Sequence, residues 1–273
     1  LDALAKHRCT GFSGVPSTFV RLLSLSSLPN YDLSRLRYLT QAGAAMTPSL
    51  AERLRQALPQ SRLFVMYGQT EAAARLAYVP PELLSEKMGS AGKAIPGVRL
   101  KVCDAEGNEL PRGELGEVVA EGDNVMLGYY RDSESTAQAL RPEGLRTGDI
   151  GVMDADGYLF LKGRESDLIK SGGHRISPAE IEDVIARLPE VHEVGVCGVP
   201  DAMLGESIAA YLVLEPGSTV TKKLVLDACH RELPKFKLPG NLLVVEELPK
   251  GSAGKLLRRE LREWFAAGRG GRL

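Results

Sequence analysis

Residues 47–58, TPSLAERLRQAL, carry a bounded helix signal set between two apolar runs, LRYLTQAG and RLFVMYG. Thr47 stands at the N-cap position and Pro48 at the first helical position, and Leu50, Leu54 and Ala57 share one face. A helix between two strand-like runs favours a parallel α/β layer. The chain opens at Leu1 without Met, inside LDALAKHRCTGF, which reads as the end of an amphipathic helix running into a strand. That opening reads as the downstream part of a longer protein.

The texture then changes twice. From about residue 88 to 162, short runs broken by glycine take over: VRLKVCD, GEVVAEG and DIGVMDADGYLFLKG, the last turning on Asp156-Gly157. Asp-Gly between apolar runs is a hairpin signal, so this stretch reads as a small β-barrel or twisted sheet. Beyond about 167 the pattern is α+β. SPAEIEDVIARL places Ser177 as N-cap, Pro178 at N1 and Glu180 at N3 of a capping box, with Ile181, Val184, Ile185 and Leu188 on one face. VHEVGVCGV, SIAAYLVLE and LLVVEEL read as strands, 221–232 as a helix, and Leu257, Leu261 and Trp264 as the face of a last helix. AAGRGGRL has no apolar period and is expected to fray. The expected architecture is α/β over 1–87 and β-barrel-like over 88–165, together one large unit, with a small α+β unit over 166–273.

Composition excludes several function classes. Of 273 residues, 44% are apolar and 25% charged, the balance of a soluble globular protein. A net charge of −1 provides no field for gathering nucleic acid or anionic lipid. No run approaches the roughly 18 apolar residues of a transmembrane segment, and no signal peptide opens the chain. Cys9, Cys103, Cys197 and Cys229 lie far apart, which disfavours a zinc site or disulfide framework and fits buried thiols in a reducing cytoplasm.

Three stretches carry candidate chemistry. VMYGQTEAA places Tyr67, Gly68, Thr70 and Glu71 just past a strand, where open α/β sheets bind ligands. Tyr67 can stack on a base, Thr70 can donate to a phosphate oxygen, and Glu71 can hold Mg²⁺; the same residues also read as a strand, a Gly turn and a Thr-capped helix. In LRTGDIG, Asp149 can accept both hydroxyls of a ribose or sit in a surface turn. In GRESDLIKSGGHRISPAEIE, Gly172-Gly173 admits close backbone approach, Arg164 and Arg175 are fixed positive charges, and Ser166 and Asp167 mark a linker. A basic, Gly-containing interdomain loop is the alternative reading of that segment. LPKGSAGKLLRREL is not a P-loop: five residues before Gly254 stands Pro249, and Leu256 follows Lys255 where Ser or Thr is needed.

YGQTEA, GELGEVVAEGDNVMLGYY, TGD, GRESDLIKSGGHRISPAEIE, LPKFKLP and LPKGSAGK, in this order, resemble the adenylate-forming superfamily of acyl-CoA synthetases, peptide-synthetase adenylation domains and firefly-type luciferases. The resemblance runs from about residue 1 to 265. It implies that ATP activates a carboxylic acid, here a fatty acid, to an acyl-adenylate, and that the thiol of coenzyme A then displaces AMP. Tyr67 would lie against adenine, with Gly43, Ala44 and Ala45 in the wall of the nucleotide and acyl pocket. Thr70 would contact the α-phosphate, Glu71 would bind Mg²⁺, and Asp149 assisted by Arg164 would take the ribose hydroxyls.

Lys255 would be the mobile catalytic lysine, meeting charge that develops as carboxylate attacks phosphate. After adenylation the C-terminal domain would turn about Ser166 and Asp167, bringing Gly173 to the pantetheine tunnel and Arg175 near the CoA phosphates. Ser166 departs from the Asp or Lys common at that pivot. Small residues at Ala44, Ala45, Ala72 and Ala73 admit a chain or a ring. The family's Ser/Thr/Gly-rich loop for the β- and γ-phosphates has no counterpart before Tyr67, so the chain by itself is expected to be inactive. Two alternatives stand beside this one: a ligase loading an acyl-carrier-protein thiol, and a non-catalytic nucleotide-binding fragment.

Overall fold

The computed structural model describes residues 1–251 and 255–273, and the chain divides into two compact units, Leu1–Leu161 and Lys162–Leu273. Ser252, Ala253 and Gly254 of the LPKGSAGK motif lie outside the described residues. Among the described residues no helix is long and apolar enough to cross a membrane.

The first unit opens with α1 (Asp2–Lys6), β1 (Gly11–Gly14), α2 (Pro16–Leu23), β2 (Tyr38–Gln41), α3 (Pro48–Ala57) and β3 (Arg62–Tyr67). β1 pairs parallel with β2, and β2 parallel with β3. α3 starts as expected, with Pro48 in its first turn and the Thr47 hydroxyl accepting from the Leu50 amide at 3.3 Å. Leu50 and Leu54 bury its inner face with Phe19, Leu36 and Leu39. β4 (Ala77–Val79) and β5 (Lys93–Ala94) then extend the sheet antiparallel.

A second sheet follows: β6 (Val98–Cys103), β7 (Leu115–Gly122), β8 (Leu140–Arg141), β9 (Gly144–Met153) and β10 (Leu159–Arg164), with α4 (Ser133–Ala139) before β8. The strand order is β10-β9-β7-β6, with β8 on β9, so the sheet is open and does not close into the expected barrel. Among the described residues β6 and β10 each have one strand neighbour in this sheet, and hairpin-linked antiparallel strands need no closure once one face is covered. Here Val118, Leu145 and Leu159 pack into one cluster with Tyr67 of β3 and with Ala72 and Leu76 from the segment between β3 and β4.

The second unit contains β11 (Ile169–Ser171), β12 (His174–Ile176), α5 (Pro178–Ile185), β13 (Val191–Asp201), β14 (Gly205–Leu214), α6 (Lys222–Glu232), β15 (Asn241–Val244), α7 (Arg258–Ala266) and β16 (Gly271–Arg272). Its strand order is β12-β11-β14-β15-β16, with β13 also on β14. The central strands alternate strictly. Val196, Ile208, Ala210 and Leu212 face α5 and α6, whereas Cys197, Val199, Ala209 and Tyr211 face Leu261 and Trp264 of α7. Both faces are covered, which is why these strands read as continuous apolar runs.

Two expectations fail locally. Ser177 precedes α5 but makes no side-chain cap, and Glu180 does not reach back to complete the box, because it is drawn to the Lys237 ammonium at 2.7 and 2.8 Å. The C-terminal tail does not fray: β16 pairs antiparallel with β15, and the Leu273 amide donates to the Leu242 carbonyl at 3.1 Å. The open edge of β15 supplies hydrogen-bond partners that no local pattern announces.

Candidate active site

β1, β2 and β3 run parallel, so Gly14, Gln41 and Tyr67 end at one carboxyl edge of the sheet. Open α/β sheets bind ligands at that edge. From it leave both Gly43-Ala44-Ala45 and the Tyr67–Glu71 turn. Gln41 is fully buried and donates to the Ala44 carbonyl at 2.6 Å, folding the first segment back. Gly43 and Ala45 are exposed and Ala44 half-buried, while Ala72 is fully buried in the core.

Tyr67 buries its ring and donates its hydroxyl to Asp149 Oδ2 at 2.7 Å. Gly68 permits the following turn: a Cβ there would lie 2.5 Å from the Ala74 carbonyl oxygen, so any side chain forces the backbone apart. The turn is a single 3-10 turn, Thr70–Ala72, and not a Thr-capped helix. Left-handed Ala73 and Ala74 end it at once. Thr70 is exposed at its tip.

Three residues without an assigned role in the sequence reading hold this turn. Asn124 donates through Nδ2 to the Ala72 and Arg75 carbonyls at 3.0 and 2.8 Å. The Met126 amide donates to the Glu71 carbonyl at 2.7 Å, and the Tyr129 hydroxyl donates to Glu71 Oε1 at 2.8 Å. All three lie in the GDNVMLGYY run, whose polar residues after a strand were the available signal. Among the described residues no three His, Cys, Asp or Glu side chains gather as a metal site. Glu71 as a lone carboxylate still fits Mg²⁺, which keeps waters and takes most of its remaining ligands from substrate phosphates.

Asp149 is placed by a bulge. β7 pairs Glu117 with Ile150 and then Val119 with Arg146, so Thr147, Gly148 and Asp149 of β9 stand against Val118 alone. Gly148 turns there with φ +70°, a left-handed value that disfavours a side chain. Thr147 Oγ1 donates to the Val118 carbonyl at 2.7 Å and accepts from the Asp149 amide at 3.1 Å. The TGD run is thus a bulge within a strand, not a surface turn. An open depression of about 430 Å³ is lined by Glu117, Tyr129, Gln138, Arg146, Thr147 and Gly148.

The remaining candidates belong to the second unit. Gly172 and Gly173 form the two-residue turn between β11 and β12, with φ +54° and +82°, a hairpin turn that needs positive φ at both positions. Next to it His174 stacks on Phe236 of the LPKFKLP run, with centroids 4.1 Å apart, a pair that spacing alone did not reveal. Arg175 is exposed and lies 3.7 Å from Glu165. Arg164 is exposed at the end of β10, and Ser166 and Asp167 occupy the 3-10 turn that follows.

α7 ties down that turn. Arg262 donates to the Ser166 carbonyl at 3.4 Å, and Arg258 Nη1 lies 3.7 Å from Asp167 Oδ2. Lys255 is exposed, and its carbonyl accepts from the Gly251 amide at 2.9 Å. Lys250 and Leu256 form a β-bridge around it, and the helix begins only at Arg258. Lys255 is therefore held beside Gly251, with two residues between it and α7.

The AMP-binding enzyme family matches residues 1–130, and the AMP-binding enzyme C-terminal domain matches residues 180–255. Asp149, Arg164, Gly173 and Arg175 fall between the two matches. A 3-[(3aS,4S,7aS)-7a-methyl-1,5-dioxo-octahydro-1H-inden-4-yl]propanoyl:CoA ligase of Rhodococcus jostii is 37% identical over 258 residues, covering 94% of this chain and 48% of its own. A long-chain-fatty-acid–CoA ligase of Escherichia coli is 36% identical, covering 95% of this chain and 46% of its own. The crystal structure of the anthranilate CoA ligase AuaEII with anthranoyl-AMP superposes with a TM-score of 0.91 at 31% identity, over 98% of this chain and 52% of that one. The chain spans about half the length of the curated relatives it matches.

Proposed function

Because the chain belongs to the AMP-binding enzyme family of adenylate-forming proteins, we propose that it serves the ATP-dependent activation of a carboxylic acid and its transfer to coenzyme A. In the first step a carboxylate oxygen attacks the α-phosphorus, the bond to the β-phosphate breaks, and pyrophosphate leaves. In the second, a thiolate attacks the acyl carbon and the bond to AMP breaks. The observation that carries this reading is the 2.7 Å hydrogen bond from Tyr67 to Asp149 Oδ2, which joins a base-stacking candidate to a ribose-binding candidate at the carboxyl edge of the sheet.

In this reading Thr70 donates to the α-phosphate and Glu71, held by Tyr129, binds Mg²⁺, which would neutralise phosphate charge. Gly43, Ala44 and Ala45 line the pocket, and Arg164 assists Asp149. Lys255 offers a point charge to carboxylate and phosphate in the first step. Gly173 and Arg175 serve the thiol step after a turn about Ser166 and Asp167, with the mobile unit taken as 166–273. The acid is taken to be a fatty acid and the compartment the cytoplasm. Similarity to the E. coli fatty-acid ligase and the small side chains of Ala44 and Ala45 support the fatty class; an acid panel of fatty, aromatic and dicarboxylic members tests it.

Two measurements test the mechanism. A non-hydrolysable acyl-adenylate analogue is expected to bind the chain in competition with AMP, with Tyr67→Ala and Asp149→Ala each weakening it. In the exchange-competent protein that carries these residues, Lys255→Ala is expected to abolish ATP–pyrophosphate exchange and to spare thioester formation from supplied acyl-adenylate. Equal loss of both half-reactions would overturn the role given to Lys255.

A further inference from the structure

We propose that Glu117 is the positioning residue for Asp149, so that its carboxylate sets how tightly the site holds ribose hydroxyls. The inference rests on the nucleotide reading of Asp149 given above. A bulge removes ladder partners from the backbone it displaces, and a half-buried amide without a partner is costly. Thr147 supplies one substitute within the bulge. The other comes from the facing strand: the Gly148 amide donates to Glu117 Oε1 at 3.1 Å.

Glu117 is itself fixed. Its side chain is only 17% exposed, and its Oε2 lies 3.1 Å from Arg146 Nη1. Arg146 is anchored in turn by Glu143 Oε1 at 2.8 Å and by the Ala105 carbonyl at 3.1 Å. The ion pair holds the Glu117 carboxylate in register, the carboxylate holds the Gly148 amide, and the left-handed Gly148 sets the exit direction of Asp149. At the far end of this chain of contacts the Asp149 carboxylate meets the Tyr67 hydroxyl. Loss of Glu117 frees the Gly148 peptide to rotate, and Asp149 then presents its oxygens to the hydroxyls only part of the time. Arg146 keeps Glu143 and Ala105, so removal of Glu117 leaves no isolated charge.

The test compares binding of AMP and 2′,3′-dideoxy-AMP to the full chain. Hydrogen bonds to a charged group predict that the unsubstituted chain prefers AMP by roughly tenfold or more. Glu117→Ala is expected to bring that ratio towards one, as Asp149→Ala does, while dideoxy-AMP affinity is unchanged. Glu117→Gln keeps an acceptor for Gly148 and is expected to retain most of the ratio.

Amide exchange in the free chain provides the second measurement, with acceleration expected at Gly148 and Asp149 and not along the rest of β7 and β9. Equal loss for both nucleotides with general acceleration along the two strands would make Glu117 merely structural and overturn the proposal. A ratio sensitive to Asp149→Ala and indifferent to Glu117→Ala overturns it alone. A ratio indifferent to Asp149→Ala, or no AMP binding by the unsubstituted chain, overturns the nucleotide reading along with it.

Discussion

Arg258→Ala is expected to destabilise the second unit strongly. Arg258 opens α7 and grips Glu182 with both carboxylate oxygens, at 2.8 and 2.6 Å, while its Nε donates to the Val196 carbonyl at 3.2 Å. The two side chains are 17% and 14% exposed. Burial opposes the charge on Arg258, yet Glu182 and Asp167 more than offset this and hold its pKa above the ordinary value. Removing one partner of a buried pair costs about 3–5 kcal/mol because the other charge is stranded.

Glu182 retains the Val196 amide at 2.8 Å and some contact with water, so the lower end, about 3 kcal/mol, is expected. Trp264, the only tryptophan of the chain, lies on α7 and reports this unit's unfolding by fluorescence. With a urea slope of roughly 1–3 kcal/mol per molar, the midpoint should fall by about 1–3 M. Arg258→Lys keeps a charge but loses the two-pronged geometry, and should fall between. A midpoint shift below about 0.3 M for Arg258→Ala would refute the reasoning, since a stranded Glu182 has to cost more than that. The consequence reaches Lys255, which Leu256 and Leu257 join directly to α7.

Asn124→Leu removes both hydrogen bonds to the Ala72 and Arg75 carbonyls and should destabilise the first unit by about 1–3 kcal/mol, read by thermal unfolding in the far ultraviolet; no change would mean that Asn124 does not hold the turn. Cys103, Cys197 and Cys229 are buried, and burial pushes their thiols up, Cys197 to about 12 and Cys229 to about 11, while Cys9 is half-buried. Native chain is therefore expected to react with a disulfide reagent at Cys9 first, the others following only on denaturation; rapid modification of Cys197 would contradict this packing. The Ser135 amide and hydroxyl hold the Asp132 carboxyl below its usual pKa. Because the native value is the lower one, this stabilisation of α4 is complete above the ordinary carboxylate pKa and is lost as pH falls through the native value. Protection of the Ser135 amide, the slowing of its exchange relative to an unstructured chain at the same pH, should fall on acidification between about pH 5 and pH 2, and a pH-independent protection would argue against the cap.

Local pattern settled what local forces decide. The Thr47 cap of α3 and the two-faced apolar runs of β13 and β14 are legible because capping and side-chain alternation act over a few residues. The motif order likewise drew Tyr67, Thr70, Glu71 and Asp149 into one hypothesis. Beyond that range the sequence was silent or misleading. Glu180 has the position of a capping-box residue, yet Lys237, distant by 57 residues, offers it a full charge that outcompetes a backbone amide. The glycine-rich tail became a strand because the edge of β15 was open to it.

The Tyr67 hydroxyl found Asp149 across 82 residues, and the bulge that aims Asp149 depends on Glu117 from another strand. Sequence by itself determined the strongly patterned elements, their faces and the chemistry of the side chains. Tertiary structure alone decided which of those side chains meet, because a partner's identity depends on strand pairing and register, and no local period encodes either.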